Sequence, residues 1–547
     1  MSLVVNLHWF FSKLSPLAGE GRVRGRVSRS FFTLTPAHLP YSAHREQLLC
    51  TLKTKALGRG GENTFKILWL TALVLSLAWA LAPQKAWGSC ETCPEDQPLD
   101  EKIQALTLQQ ADDIFKEVSR LRGLPVKSPV NKTFENRAFF HDYYLKLLQE
   151  QYPPAKKIAY EKAYVLLGLL PEKTDLIQAY LDSFLEVVQG LYDPRTKTLY
   201  LANWIDPDKE EQTMAHELTH ALQDQYYDLQ AYMDRGRDST MDVQFARASV
   251  MEGDAVATAL NYSLEDKNEN FTQLVNIADW VRMSNLLEES GEKAFGRKVN
   301  LHDVINFPYI YGASFLQKYV KAYGWQGMKY LFDHPPSSTH QIIHPEDFFP
   351  KRQKPVRVKI DDLSQNVLKD FSRIWEETFG EYGLTLLMRQ YLPENEARHS
   401  ASGWRGDRIQ VYESRDGSRQ VLTGYVVFND EASAGDFFKS YRSLLGKKYN
   451  SEIFRRSDDT IHWISLGQGA GSSMGPAQLN RGPRQEASAQ GDLEAYVERL
   501  GRRVVFIEGT TSSLTSKVRG VLWDVSRPDS KSVQKNENIT PETPSGP

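Results

Sequence analysis

Residues 214–224 read Met214-Ala215-His216-Glu217-Leu218-Thr219-His220-Ala221-Leu222-Gln223-Asp224, and residues 250–255 read Val250-Met251-Glu252-Gly253-Asp254-Ala255. The first stretch suits an amphipathic helix. His216 and His220 are four residues apart, so a helix places them on one face. Two imidazoles in that register can grip one ion, and Zn2+ accepts such donors in a tetrahedral shell. Glu217 lies one step round the helix, beside the ion rather than bound to it. From there a carboxylate can take a proton from water. A catalytic zinc needs a third protein ligand and one open position. Glu252, 32 residues after His220, supplies a carboxylate on the next helix, which can run antiparallel and reach the same ion. Gly253 costs up to about 1 kcal/mol relative to Ala inside a helix. It is tolerable there if two backbones approach closely.

The bare spacing of two His and a Glu arises by chance in a small share of chains of this length. The amphipathic helix around it, the Glu-bearing helix after it and an export-like segment before it raise its weight. His216-Glu217-Leu218-Thr219-His220 followed by Glu252-Gly253-Asp254-Ala255 resembles the gluzincin superfamily, the metallopeptidases with thermolysin-like active sites. Only these two motifs are specific, although the layout extends over about residues 130–350. The resemblance implies a zinc metalloendopeptidase, with His216, His220 and Glu252 as metal ligands and Glu217 as general base. It also implies an edge strand ahead of the first zinc helix that binds an extended peptide by strand addition. One departure is Val256, where such enzymes often carry an acidic residue that orients the first His. Asp224 or Asp254 can substitute, and Asp224, four residues after His220, is the preferred candidate. A solvated surface charge is an equally good reading of Asp224.

Members of that superfamily use a His or Tyr to stabilise the oxyanion. The candidates are Tyr309, Tyr311, His340 and His344, with Tyr311 and His344 carried forward. Tyr311, Phe315 and Tyr319 also recur at helical spacing, which fits plain core packing.

The 547-residue chain suggests two to four domains, and 41% hydrophobic residues allow a sizeable core. Lys+Arg is 66 against 69 Asp+Glu, so no basic field favours a nucleic acid. Three cysteines, Cys50, Cys90 and Cys93, cannot build a disulfide framework. Residues 1–64 are Arg-rich and without lasting periodicity. They read as a disordered basic leader or as an extension ahead of a later true start. Phe65 to Ala82 is an apolar run after Lys66, and Ala86-Trp87-Gly88 gives a small-x-small cleavage pattern. Residues 65–88 therefore read as a secretory signal, or as an anchor that would associate the chain with a membrane. The expected location is secreted, periplasmic or at the cell envelope.

The expected fold is α+β. A mainly helical, zincin-like catalytic domain over 99–400 carries a short β-hairpin or edge sheet. A small α+β domain spans 403–525, with a disordered loop at 467–491 and a disordered tail at 526–547. Helices are expected at 134–151, 155–170, 175–188, 209–227, 242–264, 271–291 and 308–323, and a hairpin at 190–201 turning at Asp193-Pro194. The polar stretch 232–240 reads as a surface loop or a lid. In the last domain, strands are expected at 408–413, 420–428, 459–466 and 503–509, with helices at 432–445 and 493–500. The expected function is hydrolysis of peptide or protein substrates by an exported zinc enzyme. The alternative is an envelope binding or scaffold protein with an inactive zinc site.

Overall fold

The computed structural model describes residues 101–525, apart from 205–209, 237–238, 266–268, 287–300, 352, 450–452, 458–460 and 466–492. The leader, the signal or anchor, the 467–491 loop and the tail lie outside the described residues. Among the described residues, no helix is long and apolar enough to cross a membrane. The fold is α+β and mainly helical, with two sheets.

Helix α1 (Glu101–Arg122) leads into β1 (Asn131–Glu135), and α2 (Arg137–Gln151), α3 (Pro154–Leu167) and α4 (Leu176–Val187) follow. Strands β2 (Gly190–Asp193) and β3 (Thr198–Ala202) form the expected hairpin, with the Arg195 N–H donating to Asp193 Oδ1 across the turn. Strand β1 pairs in parallel with β3, giving the order β1-β3-β2. The helix expected from residue 134 overlaps the end of this strand. The helix instead begins after Asn136, whose side chain caps it by accepting from the Phe139 N–H.

Then come α5 (Glu210–Tyr227), α6 (Leu229–Asp234), α7 (Met241–Leu264), α8 (Ile277–Leu286) and α9 (Leu301–Tyr323). The expected helix at 271–291 is divided. Asn270 caps a short 3-10 turn, Phe271–Gln273, and α8 starts only at Ile277. Stretch 232–240 does not begin as a lid or surface loop. Tyr232 is fully buried and donates to the Arg247 carbonyl, and Met233 is buried beside it.

Helix α5 is buried almost throughout, although polar side chains occupy much of it. Met214, Ala215, Leu218, Ala221 and Leu222 pack with Ala111, Ile114, Phe115 and Val118 of α1 and with Leu199 and Leu201 of β3. That apolar packing leaves His216, Glu217, His220 and Gln223 for the other side. Helix α7 is likewise buried along nearly all its length. It crosses α9 at two glycines: a Cβ on Gly253 would stand 2.5 Å from the Gly312 carbonyl carbon, and one on Gly312 would stand 2.3 Å from the Ser249 carbonyl oxygen. Close backbone approach is thus the reason for glycine beside Glu252.

Short helices α10 (Met328–Asp333), α11 (Thr339–Ile343) and α12 (Pro345–Phe348) lead to β4 (Phe371–Glu377), α13 (Gly380–Arg389) and α14 (Glu394–Ala401). The second sheet continues with β5 (Trp404–Ser414), β6 (Gln420–Phe428), α15 (Glu431–Tyr449), β7 (Ile453–Ser457), β8 (Ile461–Ser465), β9 (Leu493–Leu500), β10 (Arg503–Thr511) and α16 (Ser512–Val525). Its order is β4-β5-β6-β10-β9-β8-β7, antiparallel throughout. The sheet therefore takes its first strand from upstream of residue 403. Leu493–Leu500, expected as a helix, is strand β9 between β8 and β10. Its Leu, Glu and Ala favour a helix locally. Pairing on both edges, with Ala495 and Val497 packed among one buried cluster and Tyr496 among another, overrides that preference. Phe437, Phe438, Tyr441 and Leu444 of α15 cover one face, and Val518 and Leu522 of α16 cover the other. Two covered faces explain why β6 reads as a nearly continuous apolar run.

The sheet also anchors the helical part. Glu377, at the end of β4, accepts from the Met241 N–H at 2.9 Å and from the Tyr160 hydroxyl at 2.7 Å. A buried carboxylate thereby satisfies an orphan N–H at the start of α7.

Replacing Gly253 with Ala tests the crossing. The propensity gain is at most about 1 kcal/mol, whereas the new Cβ meets backbone that cannot rotate away. A 2.5 Å contact with backbone belongs at the upper end of the about 1–3 kcal/mol that overpacking costs, so Gly253→Ala is expected to lower stability on balance by about 2 kcal/mol in urea unfolding. A neutral or stabilising result would contradict the close approach.

Candidate metal centre

Helices α5 and α7 bring His216, His220 and Glu252 together, all fully buried. The Nε2 atoms of the two imidazoles are 3.1 Å apart, and each lies 3.3 Å from Glu252 Oε2. In a tetrahedral zinc site, bonds of about 2.0–2.1 Å put neighbouring donors about 3.3 Å from one another. The triangle of donor atoms has that size, so these residues fit a zinc ion.

Hydrogen bonds around the triangle determine which nitrogen faces inward. Gln223 Nε2 donates to the Met251 carbonyl and to Asp254 Oδ2, both at 2.9 Å. Its amide oxygen must then face His220 Nδ1, 2.9 Å away, and accept the Nδ1–H. The Nε2 lone pair is left pointing at the other donors. Burial lowers the His220 pKa to about 4, so the ring is neutral near pH 7, as a metal ligand must be. Asp254 is held by Arg122, whose Nε and Nη2 each lie 3.1 Å from one carboxylate oxygen, with both side chains buried. Three helices are thus tied to one imidazole through Arg122, Asp254 and Gln223.

Asp224, the preferred orienting carboxylate on sequence, lies elsewhere in the network. It accepts from the Tyr192 hydroxyl at 2.8 Å and from Lys197 Nζ at 2.6 Å, joining α5 to the hairpin. The other candidate, Asp254, acts on His220 at one remove. Gln223, three residues after His220, is the side chain that touches the imidazole directly. Nothing local marks an amide there as a relay, because the two groups it donates to, the Met251 carbonyl and Asp254, lie on α7.

Glu217 is buried beside the triangle, and its Oε2 accepts from the Tyr192 N–H of β2 at 2.8 Å. Burial, reinforced by the nearby Glu252 charge, raises its pKa well above the usual carboxylate range, and the Tyr192 bond opposes this. A cation among the three ligands would favour the ionised form. Strand β2 is one of the two outer strands of its sheet, and its four residues are buried.

The oxyanion candidates separate. Tyr309 is fully buried, with its ring 6.1 Å from that of His216 and inclined by 27°. Tyr311 is turned away: it stacks on Phe307 at 4.8 Å and lies 5.9 Å from Tyr382, with Arg398 over its face. His344 Nε2 is 3.0 Å from Glu381 Oε1, and the ring lies 4.6 Å from that of His340. These two histidines belong to a second cluster, built against the start of α7. The next residue back, Thr339, donates to Asp242. Asp242 precedes Glu252 by ten residues, or about 15 Å of helix. The hundred-degree turn per residue accounts for Tyr309 rather than Tyr311, a distinction that the apolar period of α9 does not reveal.

A family described as a domain of unknown function (DUF8575) matches residues 369–519, the stretch from β4 into α16. No curated protein matches the chain. Among solved structures, one from Chloroflexus aurantiacus is described as that of "a putative hydrolase with a novel fold". It shares 17% identity over 47% of this chain and 93% of its own, with a TM-score of 0.29, a likeness too low to carry structural weight.

Removing the relay distinguishes Gln223 from Asp224. Gln223→Ala is expected to weaken zinc binding about 10–100-fold, the usual effect of losing a partner behind a ligand. Asp224→Asn is expected to leave zinc affinity within a few-fold, on the order of 1 kcal/mol or less. Competitive chelator titration of both variants decides it.

Proposed function

We propose that the protein is an exported zinc-dependent peptidase of the gluzincin type, acting on peptide or protein substrates outside the cytoplasm or at the cell envelope. One observation carries the reading: three buried donors form a triangle of tetrahedral dimensions, with an additional carboxylate, Glu217, beside it. Zinc bound there would supply Lewis-acid activation of water and of a scissile carbonyl. The residues of the chain do the rest. His216, His220 and Glu252 hold the ion. Glu217, fixed through one oxygen by the Tyr192 N–H, keeps its other oxygen for the proton of the attacking water and passes that proton to the leaving amine. Tyr309 replaces Tyr311 and His344 as the donor to the developing oxyanion, on the strength of its place beside His216.

Strand β2 is the edge along which an extended substrate would add, next to Glu217. Because β2 and the ligands are buried, substrate entry requires the elements over them to part. A site shielded from water also strengthens each electrostatic contact inside it. The apolar run at 65–82 is the basis for proposing export or membrane association.

The general-base role is tested by Glu217→Gln, assayed for zinc content and for cleavage of a peptide library. Retained zinc with cleavage reduced to background is expected. Cleavage at the wild-type rate would remove the assignment.

The oxyanion role is tested by single hydroxyl deletions. Tyr309→Phe is expected to lower kcat roughly 10²-fold with little change in KM, while Tyr311→Phe stays near wild type. The opposite ranking would return the role to Tyr311.

A further inference from the structure

The second cluster has its own chemistry. His340, His344 and Glu381 bring donor atoms within 4.8 Å of one another. His340 and Glu381 are buried, and 29% of the His344 side chain is exposed. Glu381 is engaged through both oxygens: Oε2 lies 2.6 Å from His340 Nδ1, and Oε1 lies 3.0 Å from His344 Nε2. Behind His340, Asp347 Oδ2 is 3.0 Å from Nε2.

Each ring nitrogen of His340 thus faces a carboxylate oxygen, and because an imidazole with a single N–H can donate to only one of them, the other contact sets a nitrogen lone pair against an anionic oxygen. A lone pair against a carboxylate oxygen is repulsive unless a proton or a cation lies between them. A carboxylate behind an imidazole whose other nitrogen faces anionic oxygen is the arrangement that metal-binding histidines adopt.

The scaffold holds these groups from two directions. Asp242 of α7 accepts from the Thr339 N–H and hydroxyl, and Thr339 Oγ1 accepts from the Tyr382 N–H. On the other side, Asp407 of β5 accepts from the Phe379 and Gly380 N–H groups and from the Trp404 indole. The segments carrying His340 and Glu381 are therefore set by buried carboxylates on separate elements. Segments so supported hold the three side chains together, and an ion entering among them would need to widen the 2.6 Å and 3.0 Å contacts only to the about 3.3 Å of tetrahedral donors.

We propose that His340, His344 and Glu381 form a second divalent-metal site, taking zinc or a similar first-row ion, which ties the α11 segment to α13, the helix that follows β4. Two imidazoles and a carboxylate suit that class of ion. Partial exposure of His344 provides the entry path and a solvent position. It is separate from the first centre: Thr339, next to His340, is bonded to Asp242, which stands about 15 Å of helix before Glu252, whereas the metals of a two-metal centre sit only about 3.5–4 Å apart.

The test is independent of peptidase activity. The full chain carrying His216→Ala and His220→Ala lacks the first site and is titrated with Co2+ and then Zn2+. One equivalent of cobalt with a visible ligand-field spectrum is expected, displaced by zinc, together with a melting midpoint that rises on adding zinc and falls with chelator. Adding Glu381→Gln or His344→Ala to that background should abolish the spectrum, and Asp347→Asn should weaken the affinity about 10–100-fold. In the otherwise unaltered chain, mass-spectrometric metal analysis should give two equivalents of zinc, falling to one in His344→Ala, a readout that does not require the other variants to fold. Absence of cobalt and zinc binding in the His216→Ala, His220→Ala chain, or a stoichiometry unchanged by His344→Ala, would overturn the proposal. A protonated His340 bridging two carboxylates would then account for the cluster.

Discussion

A buried relay from Arg122 through Asp254 and Gln223 to His220 is the constraint on which the centre depends. An isolated charge in such a place would cost several kcal/mol. The two-pronged contact of Arg122 with Asp254 and the two acceptors of the Gln223 amide group leave each member satisfied. Because the members come from α1, α5 and α7, no helix can slide by a turn without breaking the relay. The position of one nitrogen lone pair is thereby coupled to the packing of the entire helical part.

The same coupling extends to the sheet. Glu377 closes the first turn of α7, and Asp242, one residue inside that turn, binds Thr339. The helix that bears Glu252 is therefore held at its start by polar contacts and at its middle by the Gly253–Gly312 crossing with α9. Burial raises the pKa of Asp242 to about 8, despite the two bonds from Thr339. Since that folded-state value lies above the ordinary one, the contribution of Asp242 to stability declines as pH rises from about 4 to 8.

The two histidine–glutamate clusters also differ in depth. The first is shielded on every side and has an additional carboxylate suited to proton transfer. The second has a histidine whose side chain is 29% exposed, and its additional carboxylates, Asp347 and Glu346, lie behind the two imidazoles rather than among the three donors. Chemistry suits the former and clamping the latter.

Much of this was legible in the residues. The helical register of His216 and His220, the one-step offset of Glu217, the hairpin before them and the tight approach implied by Gly253 all follow from local geometry, which a short sequence determines by itself. Strands β5, β6 and β10 were visible for the same reason, through runs of β-branched and aromatic residues. Other features needed tertiary structure. Strand β9 has a helix-favouring sequence and becomes a strand because its neighbours offer hydrogen bonds on both edges. Strand β1 has little apolar character and exists because β3 lies beside it. Gln223 became a relay, Tyr309 rather than Tyr311 reached His216, and His344 joined Glu381, each through partners 28 to 93 residues away or between helices. Local pattern sets what each element is and which face it presents. Only the packing of those faces decides which side chains meet, because that choice depends on contacts between residues far apart in the chain.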